Sequence, residues 1–215
     1  RRRAVSGSMR ATVVLVGLSL LGEVAPWRGA SGQRAADARL ARLDSTTRAV
    51  VSAVVDSARR TRLPTEPLID KALEGAQKGA DGGRIVTAVR GLYAEMRSAR
   101  ASLGTGAATE EIIAGANAIH AGMPMHTLSQ LRSVSEHAGR TRVTLPLTVY
   151  TDLIARGVPS AVASDVVLSL ARAGLRNGDY AMFQRNVRLD IENGADAATA
   201  AQTRARGAAL RNAGR

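Results

Sequence analysis

Apolar residues recur every three or four positions along most of this chain, with polar residues filling the faces between them. Leu40, Leu43, Val50, Val54 and Ala58 fall at that spacing, and Arg39, Arg42, Asp44, Arg48 and Asp56 occupy the rest. This pattern predicts one long helix over residues 35–60. Ile85, Val89, Leu92, Met96, Ala99 and Leu103 trace a second stripe, with Arg84, Arg90, Arg97 and Arg100 off it. Phe183, Val187 and Ile191 step by four near the C-terminal end, before an Ala- and Arg-rich stretch from Ala197.

The stripes are punctuated in register. Thr65-Glu66-Pro67, Thr109-Glu110-Glu111 and Thr144-Leu145-Pro146 each read as a helix start, with threonine as the expected N-cap. The helices they open run to Gly79, Gly122 and Gly157, where glycine can take the left-handed conformation that ends a helix. One small or apolar residue follows each glycine, then Asp or Pro: Gly79-Ala80-Asp81, Gly122-Met123-Pro124, Gly157-Val158-Pro159 and Gly194-Ala195-Asp196. Six residues beyond each glycine stands an apolar position, Ile85, Leu128, Ala163 or Ala200.

The expected fold is therefore all-α: repeated helical hairpins behind the long N-terminal helix. They would form either a short α-solenoid-like stack or an irregular helical bundle. The hairpins should span about 65–103, 109–138, 144–173 and 178–212. Gly104-Thr105-Gly106 reads as a joint between the first and the second. The tetratricopeptide Trp and Tyr positions and the ankyrin Thr-Pro-Leu-His signature are absent, so the pattern points to no named repeat.

Ahead of the hairpins, Arg1, Arg2, Arg3 and Arg10 precede an uncharged apolar run from Ala11 to Gly22. Such a run is too short to span a membrane, which takes roughly 20 apolar residues, and it matches a secretory leader. Ala30-Ser31-Gly32 supplies small residues for cleavage and Met9 a start. Residues 1–32 are thus expected to be a signal peptide and 33–215 an all-helical domain, periplasmic or secreted, with no transmembrane segment once the leader is removed.

Composition narrows the chemistry. Aromatics are 2% of the 215 residues, so Ala, Leu, Val and Ile must build the core, and without cysteine no disulfide can staple it. Net charge is +12, but 28 of the 30 cations are arginine, a skew that a GC-rich genome produces without selection for phosphate. Those arginines are dispersed over every helix and no aromatics are interleaved for base stacking, so nucleic acid is not an expected partner. Peripheral contact with an anionic membrane surface fits the charge.

The densest cluster of reactive side chains is His120-Ala121-Gly122-Met123-Pro124-Met125-His126. Thioether and imidazole suit Cu(I), so His120, Met123, Met125 and His126 form a candidate metal set, although Met123 also fits a packing slot under the turn. Glu66, Asp70 and Glu74 share one face and would be needed by a glycan-cleaving enzyme. No nucleophile elbow, zinc motif or phosphate loop accompanies them. The expectation is a non-catalytic adaptor without a cofactor, binding an envelope protein or peptide. A copper-binding or copper-sensing protein is the alternative, and a glycan-cleaving enzyme comes third.

Overall fold

A computed structural model of the chain describes residues 38–137 and 142–213. The leader expected over residues 1–32 lies outside them. Among the described residues nine helices follow residues 38–40, which are themselves helical. They are α1 (Ser45–Arg60), α2 (Glu66–Gln77), α3 (Gly82–Leu103), α4 (Thr109–His120), α5 (Met125–His137), α6 (Thr144–Ala155), α7 (Ser160–Arg172), α8 (Asn177–Glu192) and α9 (Ala197–Ala213). The fold is all-α. None of the described helices is long and apolar enough to cross a membrane.

The long helix expected over 35–60 is interrupted. Residues 41–44 turn, Leu43 N–H bonds to the Leu40 carbonyl, and Asp44 caps a fresh helix by accepting from Thr47 N–H at 2.9 Å. Val51 and Val55 enter the core beside Thr47 and Ala58, while Val50 and Val54 are only half-buried. Asp44 belongs to the cap and not to a polar face.

The four glycine junctions share one geometry. Gly79, Gly122, Gly157 and Gly194 all have positive φ, between 68° and 94°. At each, the glycine N–H bonds back three residues and the next N–H bonds back five, as in Met123 to Ala118 and Val158 to Leu153. This Schellman closure satisfies carbonyls that a helix end would otherwise leave open. Asp81 and Asp196 then cap the next helix by accepting from Arg84 N–H and Thr199 N–H. Ile85, Leu128, Ala163 and Ala200 are all buried. The threonines behave differently from expectation: Thr65 makes no side-chain cap bond, and Thr109 and Thr144 are already the first helical residues.

The helices pack in two rows. α1, α3, α5, α7 and α9 contact one another in that order, and so do α4, α6 and α8. α2 packs on α1 and α3, while α4 folds back onto α3 through the tight Gly104–Gly106 turn. Close approach explains Gly115: a Cβ there would lie 3.0 Å from Ala99 Cβ and 3.2 Å from Leu103 Cδ1. The rows enclose one largely aliphatic core, in which Tyr150, Tyr180 and Phe183 are the buried aromatics.

Candidate functional site

Three grooves lie along the surface on which α4, α6 and α8 follow one another, the first bounded also by α2 and α3. The first, about 310 Å³, lies between α3 and α4 and is lined by Thr87, Leu92, Glu95, Asn117 and His120, with Lys71 from α2. The second, about 330 Å³, lies between α4 and α6, against Ile113, Ala114, Asn117, Leu147, Thr148 and Thr151. The third, about 270 Å³, lies between α6 and α8 and is lined by Asp152, Arg156, Gln184, Arg185 and Arg188. Asn117 borders the first two, and consecutive residues Thr151 and Asp152 border the second and third.

Each groove has a distinct chemistry. In the first, His120 Nδ1 lies 2.8 Å from Glu95 Oε1, so the imidazole donates to the carboxylate. The second has an apolar floor edged by hydroxyls. Thr148 donates to the Thr144 carbonyl at 3.0 Å and Thr151 to the Thr148 carbonyl at 2.9 Å, which leaves oxygen lone pairs facing outward as acceptors. The third is basic. The Asp152 carboxylate accepts from Arg156 Nε at 3.0 and 3.1 Å, and this pair raises the Arg156 guanidinium above its ordinary range. Gln184 also donates to Asp152, at 3.3 Å. Arg188 pairs loosely with Glu192 at 3.6 Å, and among the described residues Arg185 has no carboxylate within ion-pair distance. The three cations exceed the nearby carboxylates.

Residues read from the sequence as a metal set occupy different environments. His120 is exposed and turned to Glu95, whereas Met123 is 3% exposed and packs in the core. Met125 and His126 sit on the exposed first turn of α5. Among the described residues no three His, Asp or Glu side chains converge on one point. The acidic face of α2 is charge-paired: Glu66 and Asp70 both accept from Arg39, and Glu74 accepts from Lys78 and Lys71. Lys78 and Lys71 hold the Glu74 carboxyl below its ordinary range, opposite to what a general acid requires.

One buried group went unread in the sequence. Glu111, assigned to a helix start, is 2% exposed. Its carboxylate accepts from Ala108 N–H at 3.0 Å, from Val143 N–H at 2.9 Å and from Arg132 Nη1 at 3.2 Å. It thereby ties the start of α4 to α5 and to the chain entering α6, and fixes the angle between the walls of the second groove. The local signal for the groove itself was the spacing of Thr144, Thr148 and Thr151, which puts three hydroxyls on one side of α6. Comparisons of the chain with protein-family models, with curated proteins and with solved structures found no match.

Proposed function

We propose that this chain is a non-catalytic adaptor, exported to the cell envelope, that holds an extended segment of a partner protein along the α4–α6–α8 face. The observation that carries the proposal is the succession of three grooves along this face, the first two sharing Asn117 and the second and third lying on either side of α6. An extended segment presents alternate side chains and a free row of backbone N–H and C=O groups. The apolar floor at Ile113, Ala114 and Leu147 suits the side chains. The outward lone pairs of Thr148 and Thr151 and the exposed Asn117 amide suit the backbone. Arg185 and Arg188 favour an acidic group at that end of the segment. Export rests on the leader pattern of residues 1–32.

The test is site-specific photo-cross-linking in the native envelope. A photoreactive residue at Thr148 should capture one defined protein, and Ile113→Glu should abolish the capture. The same residue at the exposed Gln130 of α5 should capture nothing reproducible. Equal capture at both positions, or none at Thr148, would sink the proposal.

A further inference from the structure

A cavity of about 610 Å³, larger than any of the three grooves, lies apart from them. It is walled by the ends of α5 and α7 and the starts of α6 and α8. Leu145, Pro146, Ala171, Leu175 and Tyr180 make the wall apolar, and all of these but Leu145 are buried. Small-molecule pockets combine such an apolar wall with a few polar groups. Here the polar groups are Ser135, Arg142, Arg176 and Asn177.

One side of the cavity is built by a fifth glycine turn. Gly174 has φ 76°, its N–H bonds to the Ala171 carbonyl at 3.0 Å, and the Leu175 N–H bonds to the Leu170 carbonyl at 3.3 Å. Leu175 is thereby buried, as Met123 and Val158 are after their glycines. The next residue departs from the pattern. Where the other four turns place Asp or Pro to start the following helix, this one places Arg176. The cap comes from Asp179 instead, whose carboxylate accepts the Arg176 N–H at 3.0 Å, and the Arg176 side chain takes no part in it. Asp179 also lines a separate small cavity on the α9 side.

The polar groups of the cavity are not used by the fold. Arg142 stands two residues before α6, and among the described residues neither Arg142 nor Arg176 has a carboxylate within ion-pair distance. Ser135 is 3% exposed, yet its hydroxyl makes no hydrogen bond among the described residues. A buried hydroxyl is ordinarily paired, so one that faces a cavity unpaired calls for a partner there. Gly178 adds bare backbone to the wall: its φ is not positive, and a Cβ on it would meet nothing within 4 Å. Neither backbone conformation nor packing therefore requires that glycine, and the open N–H groups of the first turn of α8 lie beside it.

Two guanidiniums without a protein anion select an anionic group, and guanidinium geometry matches a carboxylate. The apolar wall selects the rest of the molecule. We propose that this cavity binds a free organic carboxylate with an apolar body, such as a medium-chain fatty acid. Arg142, Arg176 and the Ser135 hydroxyl donate to its carboxylate, and its chain lies against Leu145, Pro146 and Leu175. The site is separate from the groove face, and its test does not depend on the adaptor reading.

Isothermal titration calorimetry of the full chain with decanoate tests the site. One decanoate per chain should bind, and Arg142→Gln combined with Arg176→Gln should weaken it by about 10-fold or more. Both arginines are exposed, so the double variant should keep its helical circular dichroism. Ser135→Ala should weaken binding by roughly 5-fold and leave the unfolding free energy unchanged, since the hydroxyl loses no partner in the protein. Arg90→Gln combined with Arg206→Gln removes equal charge from exposed positions elsewhere and should leave the affinity as it was. Absence of decanoate binding, or a weakening that the two arginine pairs share equally, would overturn the proposal. Decanol bound as tightly as decanoate would overturn it too, by removing the role of the carboxylate. Pelleting with phosphatidylglycerol vesicles, lost only in the Arg142–Arg176 variant and without decanoate binding, would assign these arginines to a membrane surface instead.

Discussion

At the two inner junctions the residue after the glycine is deeply buried, Met123 at 3% and Val158 at 2% exposure. At the two outer junctions the same slot holds alanine, half-buried at Ala80 and exposed at Ala195. The outer junctions compensate with a hydrogen bond: Asp81 and Asp196 cap the next helix, where the inner junctions place Pro124 and Pro159. Ion pairs follow the same division. The inner hairpins are tied by Glu111 and Arg132, with 3% and 17% of their side chains exposed, whereas the outer ties of Arg39 and Arg204 lie at the surface. One backbone turn is thus held by burial at the two inner junctions and by polar capping at the two outer ones. Among the described residues the inner hairpins are packed between others on both sides, which excludes water from their turns.

The largest effect that would break this contrast is at Glu111. Glu111→Ala takes from Arg132 one of its two carboxylates, Glu136 remaining, and leaves the Ala108 and Val143 N–H groups without their acceptor. The expected loss is about 3–5 kcal/mol of unfolding free energy, read from chemical denaturation. A loss under about 1 kcal/mol would show that water replaces the carboxylate, and that the inner tie is no different from a surface pair.

Met123→Ala comes next. Removing a buried thioether side chain should cost about 2–5 kcal/mol. The corresponding outer change, Asp81→Ala, removes only a cap bond and should cost about 1 kcal/mol. Equal losses at the two junctions in the same denaturation series would erase the distinction between them.

Acid sharpens the contrast further. Bonds from the Thr199 backbone N–H and hydroxyl hold the Asp196 carboxyl below its ordinary range. A depressed folded value means that the cap's contribution is complete above the unfolded value of about 4. It is lost as the pH falls through the lower, folded value. Asp196→Asn keeps an acceptor but removes the titration, so its denaturation midpoint should fall less than the wild type's between neutral pH and pH 3. An identical fall would exclude Asp196 from the acid response. The inner junctions carry proline at this position and add nothing to it.

The smallest expected change is at the exposed start of α5. Met125→Ala with His126→Leu should alter stability by no more than about 0.5 kcal/mol. The same variant tests the copper proposal in a Cu(I) competition titration. Affinity present in the wild type and lost in the variant would favour a donor set that includes these two side chains. Affinity equal in both would remove them from it.

Helix ends and junctions were legible in the residues because their physics spans no more than about six positions. A glycine that accepts positive φ, the residue after it and an Asp or Pro together fix a Schellman turn and a new helix start, whatever packs nearby. Neighbouring turns hid more. Asp44 looked like one polar residue on a long helix, yet it caps a new one whose buried residues are Thr47, Val51, Val55 and Ala58. The histidine–methionine run was visible as a cluster in sequence, but His120 faces Glu95, twenty-five residues earlier in the chain, and Met123 faces inward.

The sequence by itself determined an all-helical chain and four of the turns at which it doubles back, since each depends on local backbone conformation and capping. Only the tertiary structure decided that Glu111 is buried, that Asn117 joins two grooves, and that the third groove gathers arginines from α6 and α8. Those outcomes depend on contacts between residues far apart in the chain, which no local periodicity encodes. The orientation of each hairpin on the last is set by side-chain volume, such as the Cβ missing at Gly115, and one methyl group there would move a groove wall.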